Sequence, residues 1–258
     1  MIGAIVGDIL GSTFEHTSAP ARDVPLFRNG STFTDDTVCT IAICEGMLDG
    51  SDPAACLRRW ASRYPNAGYG ASFRLWARQP GAPPYQSFAN GALMRVSPAI
   101  ALAASQEEAL AAAHAATAVT HDHEIALRAV HHYAQALWAA LTGGGHDAVC
   151  ALIEAGGYRA HDVELFRRER RVRLRADETL EDVLSCLRQA TDFESLMREC
   201  LYHGGDTDTI CAIAGPLGEA LWGIPEHVRH PALGCLPADI ARIVEREYAR
   251  MTTLARRA

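Results

Sequence analysis

The amino-acid sequence predicts an all-α protein, a compact single-domain orthogonal bundle of ten or more helices spanning residues 1–258. Apolar residues recur at helical spacing in segments that start with capping residues and end at glycine or proline. No run alternates between apolar and polar residues, apart from a weak segment around Val172 and Leu174. Two acidic clusters lie far apart in the chain, so the chain must fold back on itself to join them, which favours a single domain.

Composition and charge narrow the function classes. Of the 258 residues, 48% are hydrophobic and 21% are charged, as in a well-cored globular protein. The formal net charge of −7 argues against a general nucleic-acid surface, which needs a basic face. It does not exclude an anionic ligand, because a bound divalent metal reverses the local field.

No targeting or membrane segment is predicted. The first ten residues lack a basic region and contain Asp8, unlike a signal peptide. No apolar stretch reaches about 18 residues without a charge. The eight cysteines form no C-x-x-C pair, and all but Cys235 lie in apolar surroundings, which favours buried thiols in a reducing compartment. We therefore expect a cytoplasmic protein without membrane contact.

The chain begins with a glycine-rich helix. Gly3, Gly7 and Gly11 are four residues apart in the segment from Ile2 to Phe14, which places them on one face and allows close packing against a neighbouring helix. Asp8 lies on the same face. The sequence leaves open whether this carboxylate touches the functional site or only packs between helices.

The remaining helices follow from caps, apolar spacing and breakers. A loop from residue 15 to 32 and a glycine-, proline- and aromatic-rich segment from 64 to 84 separate some of them. The predicted helices are Thr34 to Asp49, one starting at Pro53, one after the Ser87–Arg95 loop, Pro98 to Ala118 with a break near Ser105, Glu124 to Leu141, His146 to Ala155, Thr179 to Gln189 capped by Thr179, Asp192 to Tyr202 capped by Asp192, Ile210 to Trp222, and Ala238 to Leu254.

A dense basic patch runs from Arg167 to Arg175, interleaved with Glu169, Val172 and Leu174. We interpret it as a solvated, partly extended surface segment. The alternative is a surface for a phosphate-bearing partner.

Two acidic clusters carry the candidate chemistry. The first is Thr34-Asp35-Asp36-Thr37 and the second is Gly204-Gly205-Asp206-Thr207-Asp208-Thr209, each directly before an apolar run. Capping alone explains either cluster taken singly, because Asp and Thr are good helix N-caps. Capping needs only one side chain, however, and consecutive oxygen ligands occur in both. Mg²⁺ and Mn²⁺ bind such oxygens, and two clusters would hold two ions about 4 Å apart. The sequence therefore predicts a two-metal cleft.

Further motifs accompany these clusters in a fixed order over most of residues 1–225. The full set is Gly7 to Ser12 through Glu15, Phe33 to Thr37, Tyr64 to Gly70, Ser87 to Arg95 followed by Val96-Ser97-Pro98, Thr120-His121, and Gly204 to Thr209 with the helix after it. In this combination the chain resembles the ADP-ribosylglycohydrolase family, which includes dinitrogenase reductase-activating glycohydrolases and ADP-ribosyl-acceptor hydrolases. The resemblance implies an all-α fold and a centre of two Mg²⁺ or Mn²⁺ ions.

The resemblance also implies a role for individual positions. It implies that Glu15 and Asp36 are catalytic. The implied metal ligands are Thr34, Asp35, Asp36, Asp206, Asp208 and Thr209. The implied contacts to the diphosphate, riboses and adenine of the ligand are Gly68, Tyr69, Gly70, Ser87, Phe88, Asn90, Gly91, Ala92, Met94, His121 and Gly205. For the rings of Tyr69 and Phe88, stacking on adenine, walling the cleft and packing in the core all stay open.

Two positions depart from the family pattern. Ala89 stands where the family usually has the first glycine of Gly-Asn-Gly, and its β-carbon is expected to alter the turn or narrow the pocket. His203 precedes the glycine pair where a small or apolar residue is expected, and it is a candidate to face the cleft.

By this resemblance the chain is expected to hydrolyse the glycosidic or ester bond between the distal ribose of ADP-ribose and an acceptor. The acceptor is a protein side chain, a nucleic-acid base or a small molecule, and the sequence does not choose among them. Two alternatives stay open. One is a metal-dependent nucleotide phosphoesterase. The other is a non-enzymatic ADP-ribose-binding or crystallin-like protein.

Overall fold

The computed structural model describes residues 2–15, 17, 19–169 and 172–255. Within them the regular structure is helical, and the isolated β-bridge pairs Ala89 with Arg175. The all-α prediction of ten or more helices is confirmed. The helices are α1 (Ile2–Gly11), α2 (Asp35–Asp49), α3 (Pro53–Arg63), α4 (Ala71–Arg78), α5 (Gly91–Met94), α6 (Ser97–Ala101), α7 (Gln106–Ala118), α8 (Glu124–Leu141), α9 (His146–Ala155), α10 (Val163–Glu169), α11 (Ala176–Gln189), α12 (Phe193–His203), α13 (Thr207–Trp222), α14 (Glu226–Gly234) and α15 (Ala238–Ala255).

Helices α1 and α13 pack backbone against backbone. A Cβ atom on Gly7 would lie 2.1 Å from the carbonyl oxygen of Cys211, and one on Gly11 would lie 2.4 Å from the Cα of Asp208. No side chain fits in these gaps, so the predicted glycine face of α1 is confirmed as a close packing surface. The contact brings Asp8 of α1 beside the start of α13.

Helix boundaries agree with the predictions in some places and differ in others. The predicted 98–118 helix is interrupted as expected, because the Ser105 hydroxyl caps α7 by accepting a hydrogen bond from the Glu108 N–H at 3.2 Å. Helix α11 starts at Ala176, so Thr179 lies inside it and its predicted capping role is wrong. The predicted cap Asp192 is confirmed, and it forms a capping box with Ser195. The short helices α4, α10 and α14 were not predicted.

The early start of α11 has a long-range cause. The chain just before it pairs with the 88–90 loop: Asn90 donates its N–H to the Leu174 carbonyl at 2.8 Å, and Ala176 donates to the Phe88 carbonyl at 2.9 Å. This pairing holds the chain extended up to Arg175, and the helix starts where the pairing ends. The partner segments are far apart in sequence, so local spacing does not indicate the pairing.

The basic patch is more structured than the sequence suggested. Arg167 donates hydrogen bonds to the backbone carbonyls of Ala19, Pro20 and Tyr202. Arg175 pairs with Asp177, and Arg173 pairs with carboxylates of α11. Arg170 and Arg171 lie outside the described residues. Three arginines of the patch therefore bind this chain itself, and Val172 and Leu174 are exposed at 62% and 56%.

Buried apolar side chains form one continuous cluster reaching from α1 to α15. Seven cysteines lie in it, Cys235 is exposed, and all eight are free thiols, so the prediction of buried cysteines is confirmed. In the part of the chain that the structure describes, no helix is both long and apolar enough to cross a membrane.

Candidate active site

A cleft of about 400 Å³ lies where the two acidic clusters meet. This volume is in the range of small-molecule sites. Fourteen of the residues assigned to the site from the sequence line the cleft: Glu15, Thr34, Asp35, Asp36, Gly68, Gly70, Ser87, Asn90, Gly91, Met94, His121, Asp206, Asp208 and Thr209. The structure therefore brings together segments that span nearly 200 positions of the chain.

Four assigned residues lie elsewhere. The Tyr69 ring is 3% exposed, stacks on Phe73 with ring centroids 5.2 Å apart, and lines a different pocket. Ala92 is fully buried in the core. The Phe88 ring is 45% exposed and packs edge-on against His123 rather than lining the cleft. Gly205 lies in the turn between α12 and α13 with φ +82°. Of the three alternatives for Tyr69, core packing is what the structure shows.

Asp8 holds the start of α2, where the first acidic cluster lies. Its buried carboxylate accepts hydrogen bonds from the Thr34 N–H and hydroxyl, both at 2.8 Å, and from the Thr37 N–H and hydroxyl at 3.0 and 2.5 Å. The Thr34 hydroxyl in turn caps α2 by accepting from the Asp36 N–H at 3.3 Å. The sequence left the role of Asp8 open, and its signal was a carboxylate on the glycine face of α1. Asp8 fixes the backbone that presents Asp35 and Asp36.

The second acidic cluster, at the start of α13, is hydrogen-bonded to the first cluster at the start of α2. Helix α13 begins after Asp206, whose side chain makes no capping hydrogen bond within the described residues. Instead the Asn90 amide donates to the Asp206 carboxylate at 2.6 Å. The Thr209 hydroxyl donates to the Asp36 carboxylate at 3.3 Å, which joins the two clusters directly. Capping therefore does not explain the carboxylate of Asp206.

The carboxylates repel one another. Oxygens of Asp8, Asp36 and Asp208 lie within 4.8 Å of one another, and so do oxygens of Glu15, Asp206 and Asp208. Burial, followed by the charge of neighbouring carboxylates, raises the pKa of Asp208 to about 10 and that of Asp36 well above its usual value. Burial with the Asp8 charge raises the pKa of Asp35 to about 7.

This donor set fits divalent cations. Each of the two oxygen groups contains three carboxylates, and Asp208 belongs to both. The Asp36 Oδ1 atom is buried and has no hydrogen-bond partner in the described part of the chain. Mg²⁺ and Mn²⁺ take carboxylate and hydroxyl oxygens, and their charge would relieve the repulsion among these groups.

A buried arginine also lines the cleft. Arg95 is fully buried, and its guanidinium donates to the Thr117 carbonyl, the Thr120 hydroxyl and the His121 Nδ1, all of them neutral acceptors. Its Nε has no hydrogen-bond partner among the described residues. Because His121 Nδ1 faces these donors, its proton lies on Nε2, beside Gly91. Arg95 ends the Ser87–Arg95 motif, but nothing in the sequence indicated that it lies in the site.

The structure shows where the two residues that depart from the family pattern lie. Ala89 lines the cleft and forms the bridge with Arg175, so its loop is held by neighbouring extended backbone. His203 is buried and does not line the cleft. Its imidazole instead faces His161 and Asp182.

The fold and site define an all-α protein whose cleft is lined by carboxylates from the starts of two helices. A family model described as ADP-ribosylglycohydrolase matches residues 1–257, and the chain belongs to this family. A solved structure named "ADP-ribosylglycohydrolase-related protein complex" is similar, with a TM-score of 0.70 and 27% identity over 99% of this chain and 95% of that chain. No curated protein matches the chain. The resemblance inferred from the motifs is confirmed.

Proposed function

We propose that the chain is a metal-dependent hydrolase that cleaves the bond between the distal ribose of ADP-ribose and an acceptor, reversing ADP-ribosylation. One observation supports this above all others: two groups of carboxylate oxygens share Asp208, which lines a cleft of ligand size. Family membership supports a hydrolase of ADP-ribose linkages.

Two Mg²⁺ or Mn²⁺ ions are the proposed cofactors. Their ligands would come from the first cluster and the second cluster: Thr34, Asp35, Asp36, Asp206, Asp208 and Thr209. When bound, such ions supply charge stabilisation and lower the pKa of a bound water. Asp8 has a supporting role, because its four accepted hydrogen bonds hold the start of α2 in place.

Glu15 and Asp36 are the proposed acid–base pair. Glu15 is half-buried in the loop after α1 and lines the cleft close to the carboxylates of Asp206 and Asp208. A carboxylate at this position can take a proton from an attacking water or return one to the leaving group. Such proton transfer contributes about 10²–10⁴-fold to a rate.

Arg95 and His121 are proposed to bind the diphosphate end of the ligand. A buried guanidinium that hydrogen-bonds only neutral acceptors is a strong donor for a phosphate oxygen. The Nε2–H of His121 offers a second donor. Gly68, with φ +113°, brings its turn so close to the metal cluster that a Cβ would lie 3.1 Å from the Asp35 carboxylate.

The proposal is tested with ADP-ribosylated arginine, serine, DNA base and O-acetyl ester substrates, each with and without Mg²⁺. We expect Mg²⁺-dependent release of free ADP-ribose from at least one substrate. Asp35→Asn and Asp208→Asn should lower the rate by about 10²-fold or more, as expected for groups that act on the transition state. The matched control is Asp49→Asn, a surface aspartate of α2 paired with Arg246.

The outcomes separate the alternatives. Release of phosphate or AMP would identify a nucleotide phosphoesterase and contradict the proposal. Tight ADP-ribose binding with no turnover of any substrate would identify a binding protein.

Arg95→Lys tests the diphosphate subsite, because lysine cannot reproduce the fork of donors. It should weaken ADP-ribose binding about 10-fold or more and leave adenosine binding unchanged.

A further inference from the structure

A second cluster of ligand-type side chains lies away from the cleft. His161 precedes α10, Asp182 belongs to α11, and His203 ends α12. The two histidine Nε2 atoms are 3.0 Å apart, and the Asp182 Oδ1 atom lies 3.6 Å from one and 3.5 Å from the other. Three segments of the chain therefore each bring one potential metal-ligand atom to a common point.

Hydrogen bonds at the other ring nitrogens assign the tautomer of His203 and, with the Ser185 hydroxyl proton on the Glu181 carbonyl, that of His161. His203 Nδ1 lies 3.0 Å from the Gly204 carbonyl oxygen, which only accepts, so Nδ1 carries the proton. His161 Nδ1 lies 3.1 Å from the Ser185 hydroxyl, which gives its own proton to the Glu181 carbonyl at 2.7 Å. The hydroxyl therefore accepts from Nδ1–H. In their neutral forms both rings direct an Nε2 lone pair at each other.

The third group adds negative charge to these lone pairs. Asp182 is 1% exposed, and its Oδ2 atom has no hydrogen-bond partner in the described segments. Arg173 lies 3.2 Å from the Asp182 Oδ1 atom and 3.4 Å from the Glu181 carboxylate. Two carboxylates and one guanidinium leave one net negative charge. Converging lone pairs beside a net negative charge favour a cation at the point where they meet.

We propose that His161, Asp182 and His203 bind a transition-metal ion of the Zn²⁺ type, separate from the acidic cleft. Zinc–ligand bonds of about 2.0–2.1 Å in a tetrahedron place ligand atoms roughly 3.3 Å apart. The three measured separations, 3.0, 3.5 and 3.6 Å, bracket this value. Two imidazoles and a carboxylate suit Zn²⁺, whereas the all-oxygen cleft suits Mg²⁺. The fourth position is left for water.

The surroundings resemble those of established metal sites in their organisation. The Nδ1–H bonds to Ser185 and Gly204 orient each ring, as outer-shell partners do around ligating histidines. The Phe166 ring stacks on His203 with centroids 4.2 Å apart and covers that side of the cluster. His161 keeps 21% of its side chain exposed, which gives an ion a route of entry.

The position of this site gives it a structural consequence. His203 is directly followed by Gly204 and Gly205, the first two residues of the second acidic cluster. An ion held here cross-links the end of α12 to α11 and to the segment before α10, and so steadies the turn that presents Asp206. Binding to the folded state alone also stabilises the fold.

Cobalt spectroscopy of the full chain tests the proposal. After chelation, titration with Co²⁺ should give the intense visible absorption of a tetrahedral site at one equivalent, and Zn²⁺ should abolish it. An octahedral oxygen site such as the cleft gives only weak bands, so the two sites are distinguished. No intense band in the unaltered protein overturns the proposal, and this result needs no variant.

Variants locate the bound ion. His161→Gln and His203→Gln should each lose the band and weaken Zn²⁺ binding by more than about 10²-fold, since losing an outer-shell partner alone costs about 10–100-fold. Ser185→Ala should keep the band and weaken binding within that smaller range. Asp208→Asn, in the cleft, and His227→Gln, a surface histidine paired with Glu194, should bind Zn²⁺ unchanged. A band that survives both histidine substitutions would contradict the assignment.

Discussion

At the residue scale, Asp8 supports the site although no ligand role was assigned to it from the sequence. Its carboxylate is completely buried, and four donors from two threonines satisfy it there. Burial raises its pKa to about 6, and the accepted hydrogen bonds oppose that rise. The sequence indicated that Asp8 lies on the small-residue face, but it could not indicate that the opposite helix start would supply hydroxyl and amide donors.

Replacing Asp8 by asparagine tests this role. The amide offers one acceptor atom in place of two, so either the Thr34 hydroxyl on Oδ1 or the three donors on Oδ2 lose their acceptor. Leaving buried donors unpaired should lower the free energy of unfolding by about 2 kcal/mol. Urea unfolding in the presence of a chelator measures this change without a contribution from metals. Asp49→Asn, which breaks an exposed ion pair, should change it by less than about 1 kcal/mol. Equal effects of the two substitutions would contradict the role of Asp8.

His121 gives the protein a pH dependence of defined sign. Burial, with the Arg95 charge second, lowers the pKa of His121 well below the ordinary 6.5. On acidification the unfolded chain therefore takes up a proton at this ring that the folded chain does not. The stability contributed by the neutral ring is present above pH 6.5 and is lost as the pH falls below it.

The Tm measured from pH 7.5 to 5 should fall less steeply for His121→Gln than for the unaltered protein. His114→Gln, at an exposed position of α7, is the matched control and should leave the slope unchanged. A slope that His121→Gln does not alter would show that this ring titrates as freely in the fold as in the unfolded chain.

At the element scale, α1 and α13 form the axis on which the site is assembled. Their contact is closer than ordinary helix packing because glycines face backbone on both helices: a Cβ on Gly215 would lie 2.0 Å from the Gly3 carbonyl oxygen. This part of the architecture was predictable, because glycines four residues apart form one smooth helix face that allows a second helix to pack closely. The identity of the partner helix was not, because small residues indicate close packing without indicating what packs.

Gly7→Ala tests the contact between these helices. Its Cβ would meet the Cys211 carbonyl oxygen at 2.1 Å, so the helices must move apart, and the free energy of unfolding should fall by about 3 kcal/mol. Activity should fall as well, because α1 carries Asp8 and α13 carries Asp208. In Gly234→Ala, at the end of α14, the new Cβ meets nothing within 4 Å, at a glycine outside the positive-φ region. Urea unfolding of this control should show no loss of stability.

At the scale of the whole molecule, the sequence predicted the residues of the cleft better than the contacts that hold them. Both acidic clusters and most assigned glycine-loop residues line one cleft, because each motif marks its own helix start. The pairing of Asn90 with Leu174 and the meeting of His161 with His203 were not predictable. These contacts depend on where distant segments are brought by the core, and a single sequence holds no local signal for them. Tyr69 is a different case, since this turn residue became a core residue by packing on Phe73, only four positions along the chain.

The charge of the cleft should make the whole fold respond to Mg²⁺. Without ions, Asp36 is fully buried among other carboxylates, and Asp36→Asn removes part of that repulsion. In chelator the variant should therefore have a higher Tm than the unaltered protein. Mg²⁺ at about 100 times its Kd should stabilise the unaltered protein by about 2.7 kcal/mol and the variant much less, which reverses the order. Asp49→Asn should follow the unaltered protein in both conditions. If Mg²⁺ stabilised the Asp36 variant as much as the unaltered protein, Asp36 would not be a ligand of the ion.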